Sequence, residues 1–340
     1  MKRIGIVTLN GNNNYGNKLQ NFALIYILKK FNFDINTLWK YDSKKYILKT
    51  IIPLKRFKRY SSFQRFTNRY LNVKYFMDLE KIKNKYDYYV VGSDQVWNYN
   101  FKTFSEDFFL PFSNREKNIS YAASIGVDNV KSEFHEIFKN GLQNFKNISV
   151  REDSAKRIVE QYTNRDDIEV VLDPTMLLTD KDWENILKKP KGIGDKKYIL
   201  NYFLGNLSDE RKKVIEKFAQ ENDFYVINLL DKNDPYYSCG PSEFLFLEKN
   251  AALICTDSFH SSVFAILFNR PFLVFDREQQ GVEDMSSRIE TLLSKFEIKD
   301  RKFNGNIEKK DLQHDYTRTY EILNEERKKS MNYLKKSLNI

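Results

Sequence analysis

Short apolar runs and longer helical stretches alternate along the whole chain. Arg3–Leu9 is almost continuously apolar, Asn10 to Asn17 (NGNNNYGN) breaks the pattern, and Leu19–Phe31 is apolar on nearly all sides. A helix with that pattern is buried between a sheet and its neighbours. Phe33–Leu38, Tyr86–Val91, Asn118–Ala122, Asn147–Val150 and Glu169–Leu172 read as further strands, with a helix over about Asp153–Thr163. This alternation predicts a parallel sheet covered by helices on both faces. Lys188–Lys197 (KKPKGIGDKK) is basic, rich in Gly and Pro and without apolar periodicity, and so reads as a linker. A second pattern follows, with strands at Tyr198–Leu204, Phe224–Leu230, Ala252–Thr256 and Phe272–Phe275. Its helices are Ser208–Asn222, Pro241–Asn250, an apolar one after Thr256, and Ser286–Phe296; Glu321–Leu338 is a long charged amphipathic helix. The expected organisation is therefore α/β: a lobe over residues 1–187, a linker over 188–197, a lobe over 198–320 and a final helix over 321–340. Two Rossmann-like lobes of this kind are expected to face a cleft lined by strand ends and helix starts.

The chemistry sits at those strand ends. In the stretch Asn250–Phe275 a buried strand hands over to a helix at Asp257, Ser258 and His260, where free N–H groups attract anions. Of three histidines, His135, His260 and His314, only His260 stands at such a junction; otherwise it caps a helix or is satisfied in a core. The strand ending at Val91 runs into Gly92-Ser93-Asp94-Gln95, which presents a carboxylate beside an amide. The strand ending at Val150 runs into Arg151-Glu152-Asp153. The first loop lacks GxGxxG and does not indicate a dinucleotide; its asparagines hold a sugar or phosphate, or only make the turn.

Composition narrows the class. With 41% hydrophobic residues the chain is not disordered, and two cysteines make neither a disulfide framework nor a zinc cluster. Ile4–Leu9 is too short for a signal-peptide core and no apolar run reaches the length of a membrane span, so a cytoplasmic protein is expected. The net charge of +10 is concentrated: Lys40–Lys74 holds eleven Lys/Arg against Asp42 alone, while the remainder balances. Interleaved aromatic and aliphatic residues suit an amphipathic helical excursion that meets an anionic membrane face, peripherally, or a phosphate-bearing substrate; the alternative is a solvated insertion. No recognition motif for nucleic acid accompanies the charge.

Taken together and in order, NNNYGNKLQ (Asn12–Gln20), VVGSDQVWN (Val90–Asn98), ISYAASIG (Ile119–Gly126), ISVRE (Ile148–Glu152), LDPTMLL (Leu172–Leu178), TDSFHSSVFAILFNRPF (Thr256–Phe272) and SSRIETLL (Ser286–Leu293) resemble the polysaccharide pyruvyl transferase family. The resemblance implies a GT-B-like transferase fold. It also implies transfer of a pyruvyl group from phosphoenolpyruvate to two hydroxyls of a glycan or lipid-linked sugar acceptor, with release of phosphate and without a metal or cofactor. It assigns His260 proton transfer or phosphate stabilisation, and Arg151 phosphate or carboxylate binding unless it pairs with Glu152 or Asp153. Asp94 becomes a base or sugar ligand, or a turn cap, and Asp257 orients His260 or caps the helix. Asn13, Asn14 and Gln20 line the acceptor side; Ser93, Gln95 and Ser258 are substrate-binding neighbours, and Arg277 and Arg288 are further cations for the donor. The elbow departs from the family's Arg-Leu-His, reading Ser258-Phe259-His260, so one donor-binding cation is missing there. The alternatives are a glycosyltransferase with a nucleotide-sugar donor and a non-catalytic glycan- or lipid-phosphate-binding component.

Overall fold

The computed structural model describes residues 1–40, 54–278 and 287–340. The chain divides into two compact units: Met1–Ile52 with Gln64–Leu177 and Glu325–Ile340, and Pro53–Phe63 with Leu178–Asn324. The division falls at Leu177/Leu178, upstream of the predicted linker, and the expected separate C-terminal helix is shared out between the units.

The elements of the first half are β1 (Arg3–Val7), α1 (Tyr15–Lys30), β2 (Asp34–Lys40), α2 (Leu54–Tyr70), β3 (Val73–Phe76), β4 (Tyr88–Val91), β5 (Asn118–Ala123), α3 (His135–Leu142), β6 (Asn147–Val150), α4 (Asp153–Thr163), β7 (Glu169–Val170) and α5 (Asp180–Glu184). Seven parallel strands form one sheet in the order β3-β2-β1-β4-β5-β6-β7. Every residue of β4 is buried, as an all-apolar YYVV strand covered on both faces must be. From β1 the chain builds outward through β2 and β3, then returns to add β4 on the other side of β1. The switch point of this sheet therefore lies outside the carboxyl ends of β1 and β4, where open α/β sheets hold ligands.

The second unit contains β8 (Tyr198–Tyr202), α6 (Asp209–Glu221), β9 (Tyr225–Asn228), α7 (Pro241–Asn250), β10 (Leu253–Thr256), α8 (Phe259–Leu267), β11 (Phe272–Val274) and α9 (Ser287–Lys295); α10 (Thr317–Leu338) follows. Its four parallel strands run β11-β10-β8-β9, which puts a second switch point between β8 and β10. All nine residues of α8 are buried, in keeping with its apolar sequence.

Several boundaries differ from those read in the sequence. Helix α1 starts at Tyr15, four residues before Leu19, and the polar Asn17 and Lys18 of its first turn are buried, donating to Asp94 and to the Asn10 carbonyl outside the helix. Strand β3 and helix α3 had no counterpart in the expectations. Helix α10 starts at Thr317, where Asp315 accepts from the Thr317 N–H at 2.9 Å. Its later part completes the first unit: Tyr333 donates to the Ser120 carbonyl (2.8 Å), the Leu172 N–H donates to Ser330 (2.9 Å), and Tyr88 donates to the Leu338 carbonyl (3.0 Å).

Within the basic segment, Lys44, Lys45, Lys49, Tyr46, Ile51 and Ile52 lie outside the described residues, as does Ser286. Lys40 pairs with Asp107 at 2.9 Å, and Arg59 is buried. None of the described helices is long and apolar enough to cross a membrane.

Candidate functional site

At the switch point of the first unit, the turns after β1 and β4 are stitched together by polar side chains. Thr8 donates to the Ser93 carbonyl (3.0 Å), Gln20 Nε2 donates to Thr8 (2.9 Å), and the Ser93 N–H donates to Gln20 Oε1 (3.1 Å). Gln20 and Ser93 have no exposed surface, and these bonds brace the turns after β1 and β4. Asp94 accepts from Asn17 Nδ2 (2.5 Å) and the Gln95 N–H (2.9 Å), and its backbone is left-handed at φ +71°. Gln95 accepts from Asn98 at 2.7 Å. Asn13 is exposed and Asn14, the N-cap of α1, is half-buried, so these two remain at the rim.

Gly92 makes the β4 turn possible. Its φ is +105°, and a Cβ there would lie 2.3 Å from the Tyr121 carbonyl oxygen, a backbone atom that cannot step aside. Gly92→Ala is expected to cost about 3 kcal/mol or more in strain, read as a lowered denaturant midpoint. A variant as stable as wild type would show that the turn relaxes freely.

Arg151, expected either to bind phosphate or carboxylate or to pair with Glu152 or Asp153, is enclosed by carboxylates. Its guanidinium donates to Asp173 Oδ2 at 2.7 Å, lies 3.4 Å from Asp94 Oδ1, and has Glu152 Oε2 at 4.0 Å; its side chain is 2% exposed. Burial opposes its charge, but Asp173, Asp94 and Glu152 outweigh that and its pKa rises. The ion-pair alternative holds in part: Glu152 is the distant partner, and the close one, Asp173, stands in the LDPT motif and was not singled out. Glu152 in turn accepts from the Ser124 hydroxyl and the Ile125 and Gly126 N–H groups, at 2.9, 3.0 and 3.1 Å. Asp94 is thus held from three sides, which favours the turn-holding role over that of a base.

Sequence reasoning also missed Lys18. Only 1% exposed, it points its ammonium at Asn10, bonding the main-chain oxygen at 3.0 Å and the side-chain oxygen as well. Burial lowers its pKa to about 7. The signal was present in NKLQ, but a lysine in a loop-like stretch reads as solvated.

In the second unit the elbow is built as the sequence suggests, with one role changed. Ser258 is the N-cap of α8 and His260 its second residue, 6% exposed, with its ring edge-on to Phe259 at 5.3 Å. The first N–H groups of a helix have no intrahelical acceptor and so favour an anion beside them. Asp257 neither orients His260 nor caps α8. Its oxygens accept from the Leu204 N–H (2.6 Å), the Gly205 N–H (2.7 Å) and Arg277 Nε (3.0 Å). It therefore fastens the turn after β8 and fixes Arg277 beside the elbow. Arg288 is buried near the start of α9. Glu248 on α7, fully buried, accepts from Ser261 on α8 at 2.6 Å, and burial pushes its carboxyl well above the ordinary carboxylate range. Burial likewise raises both thiols, Cys239 to about 12, which leaves them no nucleophilic character.

Comparison with known proteins gives a family and a fold. The sequence model of one family, described as polysaccharide pyruvyl transferase, matches residues 14–279. No curated protein matches the chain. Among solved structures, a glycosyltransferase from Rickettsia africae is 11% identical, with 99% of each chain covered and a TM-score of 0.52. The S. aureus MnaA–UDP structure is 15% identical over 100% of this chain and 97% of that one, also at 0.52. A putative UDP-N-acetylglucosamine 2-epimerase from Listeria monocytogenes is 12% identical over 98% and 91%, at 0.50. At such identities the likeness is one of fold, and the fold is the GT-B-like α/β one.

Proposed function

The chain belongs to the polysaccharide pyruvyl transferase family, and on that premise we propose that it moves the enolpyruvyl unit of phosphoenolpyruvate onto two hydroxyls of a glycan precursor, forming a cyclic ketal. The observation that carries this reading is the elbow: an imidazole on the first turn of α8, at a sheet switch point, beside an arginine held by Asp257.

Phosphoenolpyruvate brings two anionic groups, and both want cations or helix N–H groups. The start of α8 suits one of them and Arg277 the other. That assignment compensates for the arginine missing from position 258, because Arg151, the alternative, is enclosed by carboxylates. Protonated His260 delivers its proton to the methylene carbon, and the carbon bearing the phosphate takes on oxocarbenium character. The first sugar hydroxyl adds there and gives up its proton to the imidazole. The C–O bond to phosphate then breaks, and the second hydroxyl closes the ketal as its proton leaves with the phosphate. Of the two hydroxyl protons, one ends on the new methyl group and one on phosphate, so the step balances without a redox cofactor.

The test combines calorimetry with an assay for ketal and phosphate. Phosphoenolpyruvate is expected to bind wild type, and Arg277→Ala to weaken that binding. His260→Ala should lower turnover on the order of 10²–10⁴-fold with an unchanged unfolding curve. Full activity in His260→Ala would remove its role. Binding of a uridine diphosphate sugar, with none of phosphoenolpyruvate, would replace the donor and with it the reaction.

A further inference from the structure

Helix α2 carries no part of the site described above, and its surface is strongly basic. Across Leu54–Tyr70 there are six Lys/Arg residues and no acid. Arg59 is the exception to its charge pattern: it is 5% exposed, donates to the Tyr237 carbonyl at 2.7 Å, and lies against the rings of Phe63 and Tyr237 at 5.1 and 5.2 Å. With Phe63 and Phe66 also buried, these contacts fix which side of the helix faces inward. The outward side then holds Lys58, Arg65 and Arg69, all exposed, while Lys55 donates to the Lys232 carbonyl at 2.9 Å. At about 100° per residue the spacing of these three gathers them into one stripe about 40° wide and about 17 Å long. About 80° round the helix from the stripe, also on the outward side, stands Phe57, 55% exposed.

We propose that α2 is a membrane-surface helix that lays this stripe on an anionic lipid bilayer, with Phe57 entering at the boundary between headgroups and acyl chains. The stripe is several times longer than a single phosphate, which excludes a small anion as the ligand it is shaped for. An apolar ring flanking the cations on the same outward side has no use in contacts with a phosphodiester backbone, whereas at a lipid interface it adds buried area to the electrostatic attraction. The inference goes beyond the transfer reaction and holds whatever donor is used. Its consequence for that reaction is that a lipid-linked acceptor would be met at the surface where it resides.

The full chain would be sedimented with vesicles of pure phosphatidylcholine and with vesicles that also contain phosphatidylserine. Wild type is expected to bind only the second kind, and to be released as salt shortens the screening length. Lys58→Glu with Arg69→Glu should weaken binding by roughly 25-fold or more, about fivefold for each cation lost. Phe57→Ser should weaken vesicle binding while leaving retention on a sulfate-bearing column unchanged. All three substitutions are at exposed positions, so an unchanged thermal melt separates these losses from unfolding. Wild type that ignores phosphatidylserine, a charge-reversed variant that binds as well as wild type, or duplex DNA bound more tightly than vesicles would each overturn the proposal.

Discussion

Arg151→Met is expected to destabilise the first unit by about 3–5 kcal/mol, a large share of the roughly 5–15 kcal/mol that holds an ordinary domain folded. The reason is arithmetic of charge in a closed space. The guanidinium is the buried cation that Asp173, Asp94 and Glu152 share, with Asp173 at 2.7 Å. Methionine fills much of the volume but leaves these carboxylates without it, and each must then either stay ionised in a poor solvent or take up a proton. The variant should accordingly gain stability on mild acidification relative to wild type, because protonation relieves it. Adding Asp173→Asn should recover part of the loss. Denaturant unfolding of the three proteins measures all of this. An Arg151→Met variant that unfolds like wild type and no longer binds phosphoenolpyruvate would return Arg151 to the role of an anion clamp.

The second large effect concerns Lys18, whose folded pKa of about 7 lies far below its ordinary value of 10.5. Between these values the unfolded chain binds a proton that the folded chain does not, so stability rises with pH across that window. Below pH 7 both states are protonated and the penalty for a buried charge is present in full. A tenfold change in proton concentration inside the window is worth about 1.4 kcal/mol, so the gain is roughly 2 kcal/mol from pH 7 to pH 9, and several kcal/mol over the whole window. Lys18→Met abolishes this dependence and also strips Asn10 of the ammonium it accepts from. Other titrations are common to both proteins and cancel in the comparison. The stability of wild type relative to Lys18→Met should therefore rise by roughly 2 kcal/mol from pH 7 to pH 9. Parallel pH curves would show that Lys18 stays protonated in the fold.

Much of the fold was legible because strands buried on both faces announce themselves as apolar runs, and their alternation with helices leaves few architectures. What the pattern hid was polar burial. Asn17 and Lys18 look like loop residues and are the first turn of a core helix; Arg151 looks like a ligand-binding cation and is the centre of a carboxylate cluster. Gln20, Asp94 and Asp257 were picked out for their chemistry, yet the structure uses each to tie one strand-end turn to another. The reason is common to all of them. A turn that must carry exposed function on a buried sheet edge needs its own backbone groups satisfied, and the same residue types serve both ends. His260 was legible because histidine is scarce here and its position is set by a strand–helix junction that apolar periodicity locates well. The arrangement at Arg277 was not, since its partner Asp257 lies twenty residues away in sequence.

The return of residues 325–340 to the first unit sets the order in which the protein is made. The Ser120 carbonyl and the Leu172 N–H receive their partners Tyr333 and Ser330 only after residues 178–324 have been translated. At about 5–20 residues per second that delay is roughly 7–30 s, during which the seven-stranded sheet has its strands but lacks its covering helix. The first unit thus leaves the ribosome unfinished and is sealed by the chain that follows the second. A chaperone that shields this sheet would act before translation reaches Glu325, and a chain stopped at Leu177 would expose the same face permanently.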